Sequence, residues 1–361
     1  MKTFYSLPVE NIEPEALKQI ENIEKLECLK AFAIMPDVHS GYYDMPIGGV
    51  ALLDGQISPS FVGVDIGCGV SHVNTIITGM RYSDIAGRRN DIFEKIYNTI
   101  PVGFESLSQP AEYKSEFVSA SGDKQLTDRI NDKIRSQYGT LGGGNHFIEL
   151  GVNKMNEVGI TIHSGSRNAG HTIAEFYTKK GRMFDINSEL GQAYLADMNF
   201  CLEFALENRK KMMQSVLSIL GLLTDFSDYQ SFINKNHNHA VITEDGVLHR
   251  KGAISARNGE TGVIPRNMKN GTYIVAGLGD KDYLESASHG AGRAMSRSKA
   301  KKTINLEDFK RVMDGVVAKV DNDTLDESPF AYKDYNHVLF SQHGKNIVVI
   351  DEFIPVVNIK G

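Results

Sequence analysis

The chain has 361 residues, a formal net charge of −6 at pH 7 and a hydrophobic fraction of 41%, values typical of a globular protein with a sizeable core. Three features are missing: an apolar run of the roughly 18 residues that a membrane span needs, a signal-peptide core after Met1, and enough cysteines for a disulfide scaffold. We therefore expect a cytoplasmic chain with reduced cysteines, in which any nucleic-acid site gathers positive charge locally.

Apolar spacing predicts a helix over residues 13–30, opening at Pro14. Residues 31–77 consist of short apolar runs cut by Gly and Pro, a pattern typical of strands and turns. Two further helices, over 84–99 and 125–138, and two short strands, over 146–150 and 158–163, are predicted next.

In the second half of the chain, Asn168 is predicted to cap a helix over 169–182. The longest helical pattern covers 190–223, strands return near 239–249 and 272–278, a helix is predicted over 306–320 with Lys319 near its end, and the tail is strand-like. Regular βαβ alternation is absent. We therefore predict an α+β fold, in one compact domain over residues 1–361.

Residues with ligand chemistry gather in five short segments, four of which contain glycine, where strands are predicted to end. These segments are Asp65 to Cys68, Gly142 to Glu149, His163 to Arg167, Asn236 to His239, and His289 to Arg293.

Asp65 and Cys68 are three residues apart in a glycine-rich turn, so both side chains can converge on one ion. Taken alone, this spacing is a weak signal and favours the interpretation of Cys68 as a small buried hydrophobic residue. The run Gly142 to Gly144 allows close backbone approach to an anion, and Asn145, His146 and Glu149 follow it. His146 there is either a metal ligand or a hydrogen-bonded strand residue.

His163 ends an apolar run and precedes a turn whose Arg167 carries a planar fork suited to phosphate. In a strand, His237 and His239 would share one face, and either could be a ligand.

His289 lies among small residues, which leave room for a bulky adduct on the imidazole of a covalent nucleophile. The stretch from Arg293 to Lys302 is the most basic of the chain, and it indicates either a phosphate-backbone track or a solvated helix start. Together, one carboxylate, one thiolate and several imidazoles favour a transition metal over Mg²⁺ or Ca²⁺.

The ordered series of these motifs, which spans nearly the whole chain, resembles the RtcB family of RNA-splicing ligases, and this chain looks like a short, divergent member. The matching strings are MPDVH (35–39), VGVDIGCG (62–69), GTLGGGNHFIEL (139–150), HSGSR (163–167), HRKGA (249–253), SHGAGRAMSR (288–297) and the final Lys360-Gly361.

The resemblance implies a single α+β domain with strands around a site for two Mn²⁺ ions. Asp65, Cys68 and His146 would hold one ion, and Cys68, His163 and His237 the other, with Cys68 bridging. The GTP contacts that it implies are Asn145, His146, Phe147, Ile148, Glu149, His237, Asn238, Pro265, Arg266, Asn267, Met268, Thr272, His289, Gly290, Ala291, Gly292 and Lys360. Glu149 and Lys360 would recognise guanine.

The implied reaction joins an RNA 3′-phosphate or 2′,3′-cyclic phosphate to a 5′-hydroxyl, in RNA repair or tRNA splicing. His289 would carry the guanylate, Asp37 would orient it, and Arg167 and Arg293 would add positive charge. The small protein archease is the expected activating partner, and no membrane is involved.

Two segments depart from the family pattern. Ser40 to Asp44 replace the usual Pro-Gly-Lys-Gly, and residues 253–271 are shortened and altered. RNA choice and the nucleotide loop are affected rather than the metal ligands. Three alternatives stay open: a dinuclear metal phosphoesterase that does not ligate, an inactive RNA-end-binding module, and a structural metal site, which normally needs more cysteines.

Overall fold

The computed structural model describes residues 2–223, 225 and 232–361. Within these ranges the α-helices are α1 (Pro14–Glu24), α2 (Pro59–Val62), α3 (Tyr82–Ile85), α4 (Arg89–Thr99), α5 (Lys124–Gln137), α6 (Asn168–Lys180), α7 (Glu189–Leu220), α8 (Arg297–Thr303), α9 (Leu306–Val312) and α10 (Tyr335–Phe340).

The strands in the described part of the chain are β1 (Lys2–Tyr5), β2 (Leu29–His39), β3 (Ile47–Leu53), β4 (Gln56–Ile57), β5 (Gly69–Asn74), β6 (Phe147–Val152), β7 (Val158–Ser164), β8 (Phe184–Asp185), β9 (Ile233–Asn236), β10 (Asn238–Thr243), β11 (Gly246–Lys251), β12 (Ala253–Ser255), β13 (Thr261–Pro265), β14 (Thr272–Gly277), β15 (Ser286–Ser288), β16 (Val317–Ala318) and β17 (Ile347–Lys360). The mixture confirms the predicted α+β class.

Two large sheets carry the site. One has the order β1-β2-β3-β11-β10, and the other runs β13-β14-β17-β6-β7-β5-β9, with β16 also paired to β17. Neighbouring strands in both sheets are mostly antiparallel. The second sheet brings the ends of β5, β6, β7 and β9 together, although these strands are far apart in the chain.

The tail strand β17 organises the second sheet. Its first half pairs with β14 and its second half with β6, and a register shift at Pro355 to Val357 separates the ladder with β6 into two parts. Lys360 therefore pairs with Phe147, at the start of the strand that follows the triple-glycine turn.

Helix α7 packs the core behind this sheet. Ser188 caps its N-terminus by accepting a hydrogen bond from Gly191 N. Along the helix, Tyr194, Cys201 and Phe204 lie in one buried cluster and Met212 and Val216 in another. Full burial of each such side chain contributes roughly 1.5–3 kcal/mol, so the face of α7 is held firmly against the strands that bear the site.

Three predicted boundaries are wrong. Helix α1 ends at Glu24 because the chain turns and Leu29 joins the sheet. Helix α6 includes Asn168 as its first residue, and Arg167 precedes it without a side-chain cap. Helix α9 ends at Val312: Gly315 adopts a φ of 85°, and the next residues pair with β17, so Lys319 lies outside the helix.

None of the helices described in the structure is long and apolar enough to cross a membrane.

Candidate metal centre and nucleotide cavity

The centre of the site is a buried cluster of one thiol and two imidazoles. Cys68 Sγ lies 3.4 Å from His146 Nε2 and 3.2 Å from His163 Nε2. Two more predicted ligands extend the cluster: Asp65 Oδ2 is 3.2 Å from His146 Nε2, and His237 Nε2 is 3.4 Å from His163 Nε2. All five proposed metal ligands thus lie side by side.

Strand ends produce this convergence. Asp65 and Cys68 occupy the turn before β5, His146 comes just before β6, and His163 is in β7, whose ladder pairs it with both Val70 and Phe147. His237 lies between β9 and β10, where its backbone N–H donates to Cys68 O at 2.8 Å.

Sequence alone, without the family resemblance, left open whether His237 or His239 is the ligand. The structure separates the two histidines by position. His237 faces His163, whereas His239 pairs with Arg250 across β10 and β11. Burial, reinforced by the charge of Arg250, lowers the pKa of His239 to about 3. His239 therefore lies outside the cluster.

The donor set fits a transition-metal ion. His146 Nδ1 lies 3.0 Å from Leu141 O, so a proton on Nδ1 leaves the Nε2 lone pair facing Cys68. Burial and the neighbouring His146 hold the pKa of His163 well below its usual range, which keeps it neutral as a ligand must be. Burial and Asp65 raise the pKa of the Cys68 thiol well above its usual value, so a cation is needed to hold the thiolate.

A buried arginine of α7 supports the cluster from behind. Arg209 is fully buried and donates to Gly67 O at 3.0 Å, Ser164 O at 2.7 Å and Asn236 Oδ1 at 2.7 Å. Each acceptor is next to a segment with a proposed metal ligand. The guanidinium thus connects three segments that are distant in the chain.

His289 lies beside the cluster, with a ring centroid 4.8 Å from that of His237. Its Nδ1 is 2.7 Å from Oδ2 of the fully buried Asp37, which also accepts from the His289 backbone N–H at 3.2 Å. The expected hydrogen bond between Asp37 and His289 is present. It assigns the proton to Nδ1 and leaves the Nε2 lone pair free.

A cavity opens on the other side of His289. The predicted nucleotide contacts that line it are Asn145, Phe147, Glu149, Pro265, Arg266, Asn267, Met268, His289, Gly290, Ala291, Gly292 and Lys360. Arg293, Arg297, Tyr332 and Asn358 also line it. Of these four, Tyr332 and Asn358 were not predicted from the sequence, because neither lies in one of the recognised motifs.

Five predicted contacts do not line this cavity. His146, His237 and Asn238 line neighbouring clefts, and Thr272 lies behind Glu149 and donates its hydroxyl to Oε1 at 3.0 Å. Ile148 is fully buried in a core cluster, because side chains alternate along β6 and its neighbours Phe147 and Glu149 take the cavity face.

Glu149 lies deep in the cavity and is fully buried. Burial raises its pKa to about 7, although hydrogen bonds from Thr272 and from Asn358 Nδ2, the latter at 3.1 Å, act in the opposite direction. Each carboxyl oxygen therefore accepts one hydrogen bond from the protein and keeps a second lone pair for a ligand that offers donors.

The cations of the basic stretch divide into a paired group and an exposed group. Arg293 Nη1 is 3.2 Å and Arg297 Nη1 2.7 Å from Glu327 Oε1, and Arg297 and Lys301 also pair with Asp326. Lys299 and Lys302 remain exposed. Glu327 also accepts from Lys360 Nζ at 2.7 Å, so this acidic residue, for which the sequence offered no signal, holds three cations of the cavity wall.

Arg167 occupies a second cleft, lined also by Asp65 and His146. Its guanidinium donates to Thr140 Oγ1 at 3.1 Å and to Gly103 O at 3.0 Å, and its backbone has a φ of 58°. Such a conformation in a residue other than glycine is strained, and strain of this kind gathers at functional sites. A Cβ on Gly142 would collide with this guanidinium and with His146, so the loop needs glycine there.

The Cys68→Ser substitution is expected to weaken binding of Co²⁺ at least about a hundredfold, because losing a ligand costs more than losing a supporting group. Titration with Co²⁺, followed by thiolate-to-metal absorption and by metal analysis, measures this. Cys201→Ser is the matched control, since Cys201 is equally buried but packs in the hydrophobic core of α7 and is not among the proposed ligands. Equal Co²⁺ affinity in the two variants would contradict Cys68 as a ligand.

Comparison with known proteins identifies the family. The family model described as tRNA-splicing ligase RtcB matches residues 19–124 and 111–361. The RNA-splicing ligase RtcB of Escherichia coli K12 is 32% identical over 392 aligned residues, covering 97% of this chain and 95% of the relative. The tRNA-splicing ligase RtcB of Nanoarchaeum equitans is 28% identical, covering 97% and 92%.

Proposed function

Since the chain belongs to the RtcB family of tRNA-splicing ligases, we propose that it joins RNA 3′-phosphate or 2′,3′-cyclic phosphate ends to 5′-hydroxyl ends through a guanylated histidine. One observation carries the proposal: His289, held by the buried Asp37, lies between the thiol–imidazole cluster and the cavity. A nucleophile at that junction can reach a nucleotide on one side and an RNA end on the other.

His289 attacks the α-phosphorus of GTP with its Nε2 lone pair. An N–P bond forms, the P–O bond to the β-phosphate breaks, and pyrophosphate leaves. Nδ1 keeps its proton throughout and donates a hydrogen bond to Asp37. The carboxylate, 2.7 Å away, therefore stabilises the imidazolium that the attack produces.

Guanine selectivity is assigned to Glu149 and Lys360. The carboxylate of Glu149 accepts from the N1–H and N2–H groups of guanine, and the ammonium of Lys360 donates to O6. Adenine presents the opposite pattern of donor and acceptor on this edge, so that its N1 acceptor would face the carboxylate and its amino donor would face the ammonium. Lys360 is anchored for this role by Glu327.

The metal site is assigned to two Mn²⁺ ions. Asp65, Cys68 and His146 would hold one ion and Cys68, His163 and His237 the other, with a shared thiolate. Metal ions bound there supply Lewis acidity, which neutralises charge on phosphoryl oxygens. The support is the buried donor set and its fit to borderline metals.

The later steps return His289 to its starting state. An oxygen of the RNA 3′-phosphate attacks the guanylate phosphorus, the N–P bond breaks, and the RNA carries a phosphoanhydride to GMP. The 5′-hydroxyl of the partner strand then attacks the RNA phosphate, loses its proton and expels GMP. A 2′,3′-cyclic end is first opened by water.

Arg167 is assigned to hold phosphoryl oxygens in its cleft beside Asp65. Arg293 offers less positive charge to a phosphate than Arg167 does, because Glu327 pairs with its guanidinium. We propose that the enzyme acts in the cytoplasm, in RNA repair or tRNA splicing, with archease as its activator.

The test of this function is label transfer. Metal-loaded protein incubated with α-labelled GTP is expected to acquire acid-labile, alkali-stable label, whereas γ-labelled GTP and α-labelled ATP leave it unlabelled. Adding RNA with a 3′-phosphate should discharge the label, and adding a 5′-hydroxyl strand should give joined RNA. Release of inorganic phosphate without protein labelling, even with archease and with Mn²⁺, Co²⁺ or Zn²⁺, would instead indicate a dinuclear phosphoesterase.

A further inference from the structure

An exposed aromatic residue stands at the mouth of a cleft that reaches the site. Tyr42 is 85% exposed, and the ring of Tyr43 meets it edge-on with centroids 5.0 Å apart. Both rings line a cleft whose inner wall contains Cys68, His237 and His289. This cleft is distinct from the nucleotide cavity.

The loop that carries Tyr42 is held in place. The Gln19 side chain of α1 donates to Gly41 O at 2.9 Å and also to Tyr43 O, and it accepts from Gly41 N at 3.0 Å. Asp44, on the other side, pairs with Arg182 at 2.5 Å. An exposed ring on a fixed backbone loses little conformational entropy when a flat ligand stacks on it.

A buried cation lies beneath the same loop. Lys251 is only 6% exposed, and its Nζ has no hydrogen-bond partner among the described residues. A Cβ on Gly41 would lie 3.1 Å from this Nζ, so the ammonium is directly under the backbone that precedes Tyr42. A buried, unpaired ammonium that faces a cleft is suited to an anion.

We infer that Tyr42 is a stacking platform for the terminal nucleobase of the RNA strand that brings the 3′-phosphate, an inference that rests on the proposed function. Of the two strands to be joined, only this one ends in a phosphate, and Lys251 supplies its cleft with a cation that can take this anion. The phosphate enters toward His289, and the base of the same nucleotide stays at the mouth and stacks on Tyr42. Stacking is tolerant of base identity, so the platform recognises an RNA end rather than a sequence.

The test uses metal-loaded protein without GTP and two short RNAs labelled at the 5′ end. Both carry a 3′-phosphate, and one lacks the base of its last nucleotide. Fluorescence anisotropy is expected to give wild-type protein about tenfold tighter binding to the RNA with the base, the scale of one stacked base. Tyr42→Ala should bind both RNAs with the affinity that wild-type protein has for the RNA without the base. Tyr42→Phe should resemble wild type. Phe340→Ala is the matched control, because Phe340 is 84% exposed and lines none of the clefts described above.

Wild-type protein that does not distinguish the two RNAs would overturn the inference, as would a Tyr42→Ala variant that loses affinity equally for both. The labelling of protein by α-labelled GTP is measured in parallel and needs no RNA. If wild-type protein acquires no label from α-labelled GTP, the proposed function is contradicted. The anisotropy comparison then still decides whether Tyr42 stacks on a base.

Discussion

The His289→Ala variant is expected to acquire no label from α-labelled GTP, because the attacking Nε2 is removed and no other described histidine combines a hydrogen bond to the Asp37 carboxylate with a place in the cavity wall. Asp37 Oδ2 contacts only the ring and backbone N–H of His289 among the described residues. The loss should be complete within the detection limit, and it is measured on denatured, filtered protein after a single incubation with GTP.

Two controls separate loss of the nucleophile from loss of the fold. His337→Ala replaces an exposed histidine of α10 and should label as wild type does. The His289→Ala protein itself should keep its Co²⁺ affinity, because His289 is not among the proposed ligands. Label on His289→Ala at the wild-type level would rule out this residue as the guanylate carrier.

The Asp37→Asn variant is expected to slow single-turnover guanylation on the order of 10⁴-fold, the effect seen when the carboxylate that fixes a catalytic histidine is replaced by an amide. The introduced amide can present its NH₂ group to Nδ1 of His289, which favours the tautomer with the proton on Nε2 and blocks attack. The substitution also removes the negative charge that stabilises the imidazolium. Rapid-quench kinetics with α-labelled GTP measures the rate.

For this variant, GTP affinity and Co²⁺ affinity should stay near the wild-type values, because the Asp37 side chain is fully buried behind His289 and lines neither the cavity nor the thiol–imidazole cluster. The appropriate comparison is Glu149→Gln, which should instead weaken GTP binding through the guanine edge. If Asp37→Asn labels within threefold of the wild-type rate, the carboxylate does not set the histidine tautomer.

Local patterns allowed most regular elements to be predicted. The long helix α7 and the tail strand β17 were confirmed close to their expected bounds, because each has sustained apolar periodicity or β-branched content. Helix α9 was predicted too long, since pairing of Val317 and Ala318 with β17 is a long-range contact that overrides local helical preference.

Local motifs, most of them containing glycine, identify the residues with ligand or nucleophile chemistry at the site: Asp65, Cys68, His146, His163, His237 and His289. Their assignment as ligands and nucleophile remains a proposal. The groups that support these residues are set by the packing of the fold. Glu327 pairs with Lys360 from 33 residues away, and Arg209 contacts Gly67 from 142 residues away. A buried ion pair or a bridging arginine is defined by its partner, and the partner is chosen by the packing of sheets and helices rather than by neighbouring residues.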